Sequence, residues 1–377
     1  MEINISSESA ILFWQTLLIL SAVVQFGFLF LIYSRLAFFK NSEKSKSKPA
    51  VSVIIAARNE EENLLTNMPI ILEQDYPEFE VIVINDSSVD DSILVLKAFE
   101  EKYSNLRVIS IHENDRYEGG KKYAITLGVK GAKYERLIFT DADCKPVSRK
   151  WIEKIVEATP GDQDIVLGYS PYMRQPGFLN KVIRYDASAT AMNYLSFALC
   201  GIPYMGVGRN LSYTKSAFFS VGGFRSHYRL LSGDDDLLIN QIAQKKNTHI
   251  CVDALAEVQS TPEKDWRSYW MQKRRHLTTG SSYRFIHRLL LILQPVSLLL
   301  FWLAAIALLV SHNWLEITLM LVFVRVLAQI LIFRRSSRVL GQADLSVLAP
   351  IFEIFTLVLT ACAHTANAVS NRITWKT

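Results

Sequence analysis

The sequence is poor in cysteine: it has four in 377 residues, and no two of them form a C-x-x-C pair. Neither a zinc centre nor a disulfide framework is therefore indicated, and we expect reduced thiols. No arrangement of aromatic and basic residues in the sequence suggests a nucleic-acid platform, although the formal net charge is +5. Much of that charge flanks apolar runs, so we attribute it to membrane contact and predict no nucleic-acid partner.

Apolar residues, by contrast, make up half of the chain, and the excess gathers at its two ends. Uncharged runs at 11–33 and 289–310 are each long enough to cross a bilayer. A third run at 315–333 and a weaker fourth at 345–369 follow, and the fourth is either a span or an interfacial helix. We predict one N-terminal and two or three C-terminal transmembrane helices.

Charged residues around the first run predict its orientation. Glu2 and Glu8 precede the run, whereas Arg35, Lys40 and further lysines follow it. Because basic residues mark the cytosolic side, the central part of the chain is expected in the cytosol. The run is too long for a signal-peptide core and no small-residue cleavage site follows it, so we expect a retained anchor. The prediction is a multi-pass integral protein of the inner or plasma membrane.

Strands and helices alternate between the membrane segments. Apolar β-rich runs lie at 51–56, 81–84, 107–111, 137–140 and 165–167, with helical patterns between several of them. Such a βαβ series predicts an α/β fold with a mostly parallel, doubly wound sheet. The predicted domains are a transmembrane anchor at 1–34, a basic linker at 35–49, a cytosolic α/β domain at 50–264, an amphipathic interfacial segment at 265–288 and transmembrane helices at 289–377.

Polar residues follow several of these strands, at the edge where parallel sheets bind ligands. Asp141 and Asp143 could hold Mg²⁺ or Mn²⁺, which would bridge the phosphates of a nucleotide. Asp86 and Glu60 could hydrogen-bond a base or ribose, and Lys121 could bring an ammonium to the phosphates. Each has a structural alternative, such as a solvated loop, a helix-start carboxylate or an exposed lysine. Their joint placement at strand ends favours the functional interpretation.

Seven motifs between Val51 and Gly280 resemble those of one family. They are Val-Ser-Val-Ile-Ile-Ala-Ala-Arg-Asn-Glu-Glu at 51–61, Ile-Asn-Asp-Ser-Ser at 84–88, Gly-Gly-Lys at 119–121, Asp-Ala-Asp at 141–143, Gly-Arg-Asn-Leu-Ser at 208–212, Gly-Asp-Asp-Asp-Leu at 233–237 and Gln-Lys-Arg-Arg-His at 272–276. The chain resembles the membrane-bound family 2 inverting glycosyltransferases, which have the GT-A fold. This branch includes ceramide glucosyltransferases and the hyaluronan, chitin and cellulose synthases.

The resemblance implies a role for each matching residue. Glu60 and Asp86 would contact a uridine-type nucleoside, and Lys121 and Asp141 would lie near the diphosphate. Asp141 and Asp143 would bind the metal. Asp234 would be the general base, with Asp235 as second choice, and Gln272 and Arg275 would lie near the acceptor and diphosphate. Two positions depart from the family pattern. Gly233 replaces a Glu, which leaves the base within the acidic run ambiguous, and His276 replaces a Trp of the acceptor motif. The missing indole disfavours a processive synthase.

We therefore predict transfer of a sugar from a nucleotide-diphosphate sugar, of the UDP type, to a membrane-associated lipid, with Mg²⁺ or Mn²⁺ as cofactor. Aromatic and basic residues alternate in the 265–288 segment, which would bring the acceptor motif to the bilayer surface. The alternatives are a processive polysaccharide synthase and a non-catalytic scaffold that only binds nucleotide.

Two charges within the apolar runs predict a contact. Arg325 lies nine residues before Arg334, and Glu353 lies eight residues after Leu345. At about 1.5 Å per residue, both charges would lie at a similar depth in antiparallel helices and could pair. Such a pair would hold the helices together, or else Arg325 would snorkel alone or meet the headgroup of a lipid acceptor.

Overall fold

The computed structural model describes residues 2–40, 45–112, 120–161, 163–230 and 232–369. The chain divides into two compact units. We call residues 1–39 with 284–361 the helical unit, and residues 40–283 with 362–377 the α/β unit. The predicted basic linker at 35–49 lies partly outside the described residues, and so does Gly119 of the Gly-Gly-Lys motif.

Helices and strands alternate through the α/β unit, as the sequence predicts. The elements of both units are numbered together in chain order. The helices are α1 Glu2–Gly27, α2 Ser34–Ala37, α3 Glu61–Leu72, α4 Ser92–Lys102, α5 Gly120–Gly131, α6 Trp151–Glu157, α7 Phe178–Leu199, α8 Lys215–Ser220, α9 Asp236–Ile242, α10 Trp266–His276, α11 Phe285–Val310, α12 Leu315–Val339 and α13 Ala349–Val369. The strands are β1 Val51–Ala57, β2 Phe79–Asp86, β3 Leu106–Ile111, β4 Arg136–Phe139, β5 Cys144–Pro146, β6 Ile165–Gly168, β7 Leu211–Thr214, β8 Thr248–Cys251 and β9 Val258–Ser260.

A sheet of seven strands forms the centre of the described part of this unit, in the order β3-β2-β1-β4-β7-β6-β8. Strands β1 to β4 pair in parallel, which confirms the predicted mostly parallel sheet. Strand β7 was not predicted, and it pairs antiparallel with both β4 and β6. Its sequence, Leu-Ser-Tyr-Thr, is too short and too polar to stand out as a buried strand.

Helix α5 lies unusually close to the sheet. A Cβ atom on Gly128 would come within 2.7 Å of both Ile54 of β1 and Ile84 of β2. A side chain at this position would force Ile54, Ile84 or the helix itself to shift, so glycine allows α5 to pack closely on the sheet. The first turn of α5 carries Lys121 to the carboxyl end of the parallel strands.

Four helices among the described residues are long and apolar enough to cross a membrane: Glu8–Ala37, Phe285–Val310, Leu315–Val339 and Ala349–Val369. They match the predicted single N-terminal helix and the larger of the two predicted C-terminal numbers. The last helix begins at Ala349, four residues later than the apolar run. Pro350 explains this start, since proline has no N–H to donate and is tolerated in the first turn of a helix.

The predicted pair between Arg325 and Glu353 is confirmed, with Nη2 of Arg325 2.5 Å from Oε2 of Glu353. The guanidinium also donates to Oε1 of Gln329 at 2.7 Å and to Oε1 of Gln25 at 3.1 Å. Gln25 in turn donates to Oγ of Ser297 at 2.8 Å. One network thus joins α1, α11, α12 and α13. Arg325 is only 1% exposed, which favours the structural role over contact with a lipid headgroup.

We expect Arg325→Glu and Glu353→Arg to destabilise the protein individually by about 3 kcal/mol or more, because each leaves like charges buried together. The double swap should recover part of that loss, as a coupling free energy of about 1 kcal/mol or more. Thermal unfolding of the full chain in detergent measures both quantities. Glu316→Gln, at an exposed position of α12, is the control and should have little effect. Additive effects of the two swaps would reject the pair as a stabilising contact.

Candidate active site

One pocket brings together four of the residues that the sequence predicts for the site. Lys121, Asp141, Asp234 and Asp235 line it, together with apolar residues of β1, β4 and β7. Asp141 follows the end of β4, and Lys121 lies in the first turn of α5. The pocket therefore lies at the carboxyl ends of the parallel strands, where open α/β sheets bind their ligands.

The acidic run enters the pocket through a turn at Gly233, whose φ of +101° is the left-handed region that favours glycine. A Cβ atom here would also lie 2.6 Å from Cδ1 of Leu237. A Glu, which the family pattern has at this position, would be strained in this backbone. The departure from the pattern thus has a conformational cause.

The ammonium of Lys121 bridges two carboxylates. Its Nζ lies 2.8 Å from Oδ1 of Asp141 and 2.9 Å from Oδ2 of Asp234. Burial alone would lower the pKa of Lys121, but Asp141, Asp234 and Asp235 together raise it well above its ordinary value. Lys121 therefore stays charged. Burial acts in the opposite sense on Asp234, yet Lys121 holds the pKa of this carboxyl below its ordinary value, so Asp234 is ionised.

The three carboxylates of the acidic run have different surroundings. Burial, followed by the charges of Asp234 and Asp236, raises the pKa of Asp235 to about 7. Oδ2 of Asp235 accepts a hydrogen bond of 2.7 Å from the backbone N–H of Gly208. Asp236 points elsewhere: its Oδ2 accepts hydrogen bonds from the hydroxyls of Thr279 at 2.5 Å and Tyr283 at 2.6 Å. Asp234 and Asp235 thus face the pocket, while Asp236 anchors the run.

Asp141, Asp143 and Cys144 form a group whose ligand atoms lie within 4.8 Å of one another. Burial, then the neighbouring aspartates, raises the pKa of the Cys144 thiol well above its ordinary value, and sulfur is in any case a soft ligand that does not suit a hard cation. The two half-buried carboxylates remain, and their oxygens suit a hard cation such as Mg²⁺ or Mn²⁺. The donor set therefore fits the predicted metal.

Glu60 and Asp86 end up near neighbouring strands but do not line the pocket. Glu60 follows β1, and its Oε2 accepts a 2.6 Å hydrogen bond from Asn63. Asp86 ends β2 and is buried, which raises the pKa of its carboxyl against the opposing charge of Arg58. The turn after β1 is tied to the start of α4, since the N–H of Glu60 donates to Oγ of Ser92 at 2.9 Å. Their predicted nucleoside contacts remain a hypothesis.

The acceptor motif lies on α10, outside the lining of the pocket. Neighbouring residues hold this helix: Lys273 and Tyr269 both contact Asp186 of α7, at 2.6 and 2.8 Å. Gln272 accepts a 3.3 Å hydrogen bond from the hydroxyl of Tyr172. Arg275 is half-buried, and His276 is exposed.

Arg209 was not predicted to have a role in the site, although it belongs to the Gly-Arg-Asn-Leu-Ser motif. Its guanidinium carbon lies 4.5 Å from the ring centroid of Tyr172, the residue that bonds Gln272. The next residue, Asn210, is structural: it is buried, accepts from Nε1 of Trp151 at 3.0 Å, and donates to two carbonyls. The different roles of Arg209 and Asn210 are visible only in their three-dimensional contacts, and the sequence motif gave no signal that distinguishes them.

Residues 52–224 match the family described as Glycosyl transferase family 2. The chain carries a family 2 glycosyl transferase domain. This family 2 domain includes Lys121, Asp141 and Asp143, whereas the acidic run and α10 follow the matched residues.

Two curated relatives share part of their sequence with this chain. Glycosyltransferase AglE of Haloferax volcanii is 28% identical over 195 residues, which cover 50% of this chain and 59% of AglE. A poly-beta-1,6-N-acetyl-D-glucosamine synthase of Staphylococcus epidermidis is 29% identical over 111 residues, which cover 29% of this chain and 25% of the synthase. The matches thus span less than two thirds of the length of these relatives.

A solved structure has a similar fold. The mannosyltransferase PcManGT from Pyrobaculum calidifontis, in complex with GDP-Man and Mn²⁺, superposes with a TM-score of 0.56 at 16% identity. The match covers 91% of this chain and 99% of PcManGT. It confirms the predicted GT-A type of fold for the family 2 domain.

Stability should depend on pH through Asp235. The folded protein holds this carboxyl protonated up to about pH 7, whereas the unfolded chain releases the proton near 3.8. Between those values the folded state binds more protons, so this group makes stability fall as the pH rises. Asp235→Asn should remove that contribution. The melting temperature at pH 8 minus that at pH 4 should therefore be larger for the variant than for the unchanged protein. Melting curves in detergent across this range measure it.

Asp75→Asn, at an exposed position, is the control for this measurement and should leave the pH dependence unaltered. The same pH dependence in Asp235→Asn as in the unchanged protein would contradict the burial of a protonated Asp235.

Proposed function

We propose that the protein transfers a sugar from a nucleotide-diphosphate sugar to a lipid acceptor at the membrane, with inversion at the anomeric carbon. The observation that carries this proposal is the ammonium of Lys121, which joins Asp141 on one side of the pocket to Asp234 on the other. One side carries the acidic pair that suits a metal and a diphosphate. The other side carries the ionised carboxylate of Asp234, which could accept a proton from the attacking hydroxyl.

The reaction follows from this arrangement. The acceptor oxygen attacks the anomeric carbon as the bond from that carbon to the diphosphate oxygen breaks, and the acceptor proton passes to Asp234. The transition state resembles an oxocarbenium ion. Lys121 stabilises the negative charge that grows on the leaving diphosphate. Contact with the phosphates divides the charge of Lys121 between the diphosphate and Asp234, so the carboxylate of Asp234 becomes more basic.

Asp141 and Asp143 would hold the metal. A bound Mg²⁺ or Mn²⁺ supplies charge neutralisation of the diphosphate. PcManGT, whose fold is similar, was solved with GDP-Man and Mn²⁺. We expect the donor to be a UDP-sugar whose nucleoside contacts Glu60 and Asp86. GDP-sugars are included in the same test.

The lipid acceptor is inferred from connectivity and from the apolar helices. Helix α10 ends at His276 and α11, a candidate membrane span, begins at Phe285, so the acceptor motif is covalently close to a span. We therefore infer that the acceptor is the hydroxyl of a membrane lipid. We place the family 2 domain in the cytosol, because basic residues follow the first span.

A second candidate is a processive polysaccharide synthase. It is favoured by the similarity to a poly-beta-1,6-N-acetyl-D-glucosamine synthase over 111 residues. His276 disfavours it, because an imidazole is a smaller stacking platform for a sugar than the family's indole. The two candidates differ in their product, which is one sugar per lipid or a ladder of oligomers.

The test uses the full chain in lipid nanodiscs with a bacterial lipid extract, Mn²⁺ and a panel of isotopically labelled UDP- and GDP-sugars. Mass spectrometry of the extracted lipids should show one species heavier by a single labelled sugar, formed about 100-fold more slowly by Asp143→Asn. A ladder of masses would favour the polysaccharide synthase. Release of nucleoside diphosphate with no labelled lipid or polymer would refute lipid transfer.

Removal of the metal should abolish transfer. Excess EDTA should stop the reaction, and Mn²⁺ or Mg²⁺ should restore it. Asp143→Asn should lose most of the activity, by about 100-fold, and should require more metal for what remains, while its melting temperature without metal stays close to that of the unchanged protein. Full activity in excess EDTA would exclude the metal role of Asp141 and Asp143.

Asp234→Asn should separate binding from chemistry. We expect donor affinity to persist within a few-fold and turnover to fall by about 100-fold or more, as the loss of a general base predicts. Asp235→Asn is the matched comparison, because its side chain lines the same pocket without contacting Lys121 directly. If Asp235→Asn shows this separation and Asp234→Asn does not, Asp235 is the base.

A further inference from the structure

A second lysine of α5 is buried beside the site and, among the described residues, its ammonium binds only backbone oxygens. Lys122 is 2% exposed, and its ammonium donates to the carbonyls of His227 at 2.8 Å, Leu230 at 2.6 Å and Ser232 at 2.7 Å. Within the described part of the chain, no carboxylate lies at ion-pair distance from it. Three charge-assisted hydrogen bonds fully use the donors of this ammonium.

The three carbonyls belong to the segment that delivers the acidic run. This segment, which we call the clamp segment, comprises the described residues 227–230 and 232 and leads to Gly233 and Asp234. After the short 3₁₀ turn at Arg225–His227, its described residues belong to no helix or strand, and the N–H of Leu230 donates to the carbonyl of His227 at 3.2 Å. The three bonds from Lys122 add a restraint that ties the segment to α5.

Adjacent positions on one helix explain how two lysines serve one loop. Successive side chains of a helix point about 100° apart, so Lys121 and Lys122 leave α5 in different directions. Lys121 reaches the carboxylates of Asp141 and Asp234, while Lys122 reaches the backbone that precedes Asp234. Gly128 fixes the distance of α5 from the sheet, and through Lys122 the same helix fixes the clamp segment.

We propose that Lys122 is a positioning residue for the transfer reaction, whose ammonium holds the clamp segment and thereby keeps Asp234 opposite Lys121 and Asp141. The kinetic consequence rests on the proposed function, whereas the restraint on the clamp segment does not. A misplacement of about 1 Å at a reacting group can cost up to 100-fold in rate. Loss of the ammonium should therefore impair turnover more than donor binding.

The test compares Lys122→Met, which keeps the length and apolar stem, with Lys130→Met at an exposed position in the last turn of α5. We expect Lys122→Met to lower kcat by about tenfold or more, with the donor KM and the affinity for UDP or GDP with Mn²⁺ within about threefold. Hydrogen exchange should accelerate in residues 227–236 and stay unchanged in β1 and β2. Lys130→Met should match the unchanged protein in all of these measurements.

Several outcomes would overturn the inference. They are an unchanged kcat, unchanged exchange in residues 227–236, or a parallel loss of nucleotide affinity with faster exchange throughout the sheet. Should Lys122→Met not fold, Lys122→Gln takes its place, because its amide keeps part of the hydrogen bonding, and the same outcomes decide. Absence of sugar transfer by the unchanged protein would refute the proposed function, while unaltered exchange in the variant would refute this inference alone.

Discussion

The geometry of the site depends on the two ion pairs of Lys121, at 2.8 Å to Asp141 and 2.9 Å to Asp234. An ammonium in a pocket with low exposure needs such partners, since desolvation disfavours an unpaired charge. The pairs connect the end of β4 with a loop almost 100 residues later in the chain. Lys121 lies in the first turn of α5, and the absence of a side chain at Gly128 lets this helix pack closely on Ile54 and Ile84 of the sheet.

The structural features that could be predicted from the sequence are those with a local sequence signal. Buried β-branched runs predict β1 to β4, and Asp141, Lys121 and Asp234 belong to motifs whose order resembles one family. Long-range contacts had no such signal. The antiparallel insertion of β7 between β4 and β6, and the carbonyl contacts of Lys122, depend on residues far apart in the chain. The predicted roles of Glu60, Asp86, Gln272, Arg275 and His276 remain hypotheses.

The acidic run shows why identical residues in sequence need not share a function. Lys121 holds Asp234 ionised, burial and neighbouring charges favour the protonated form of Asp235, and two hydroxyls bind Asp236. The helical unit presents the same lesson. Depth in the bilayer predicted the contact of Arg325 with Glu353, but not that Gln25 and Gln329 also accept hydrogen bonds from the guanidinium. The network joins polar residues on separate helices, so it cannot be recognised from the sequence of any one helix.

The central claim is that Lys121 connects the diphosphate of the donor to the carboxylate that takes the acceptor proton. Its most direct test is calorimetric titration of the full chain with UDP and GDP in the presence of Mn²⁺, with Lys121→Met beside the unchanged protein. We predict saturable binding of one of the nucleotides, weakened by about tenfold or more in the variant, since a charge-assisted contact to phosphate is lost. Equal affinity in the two proteins would contradict the claim.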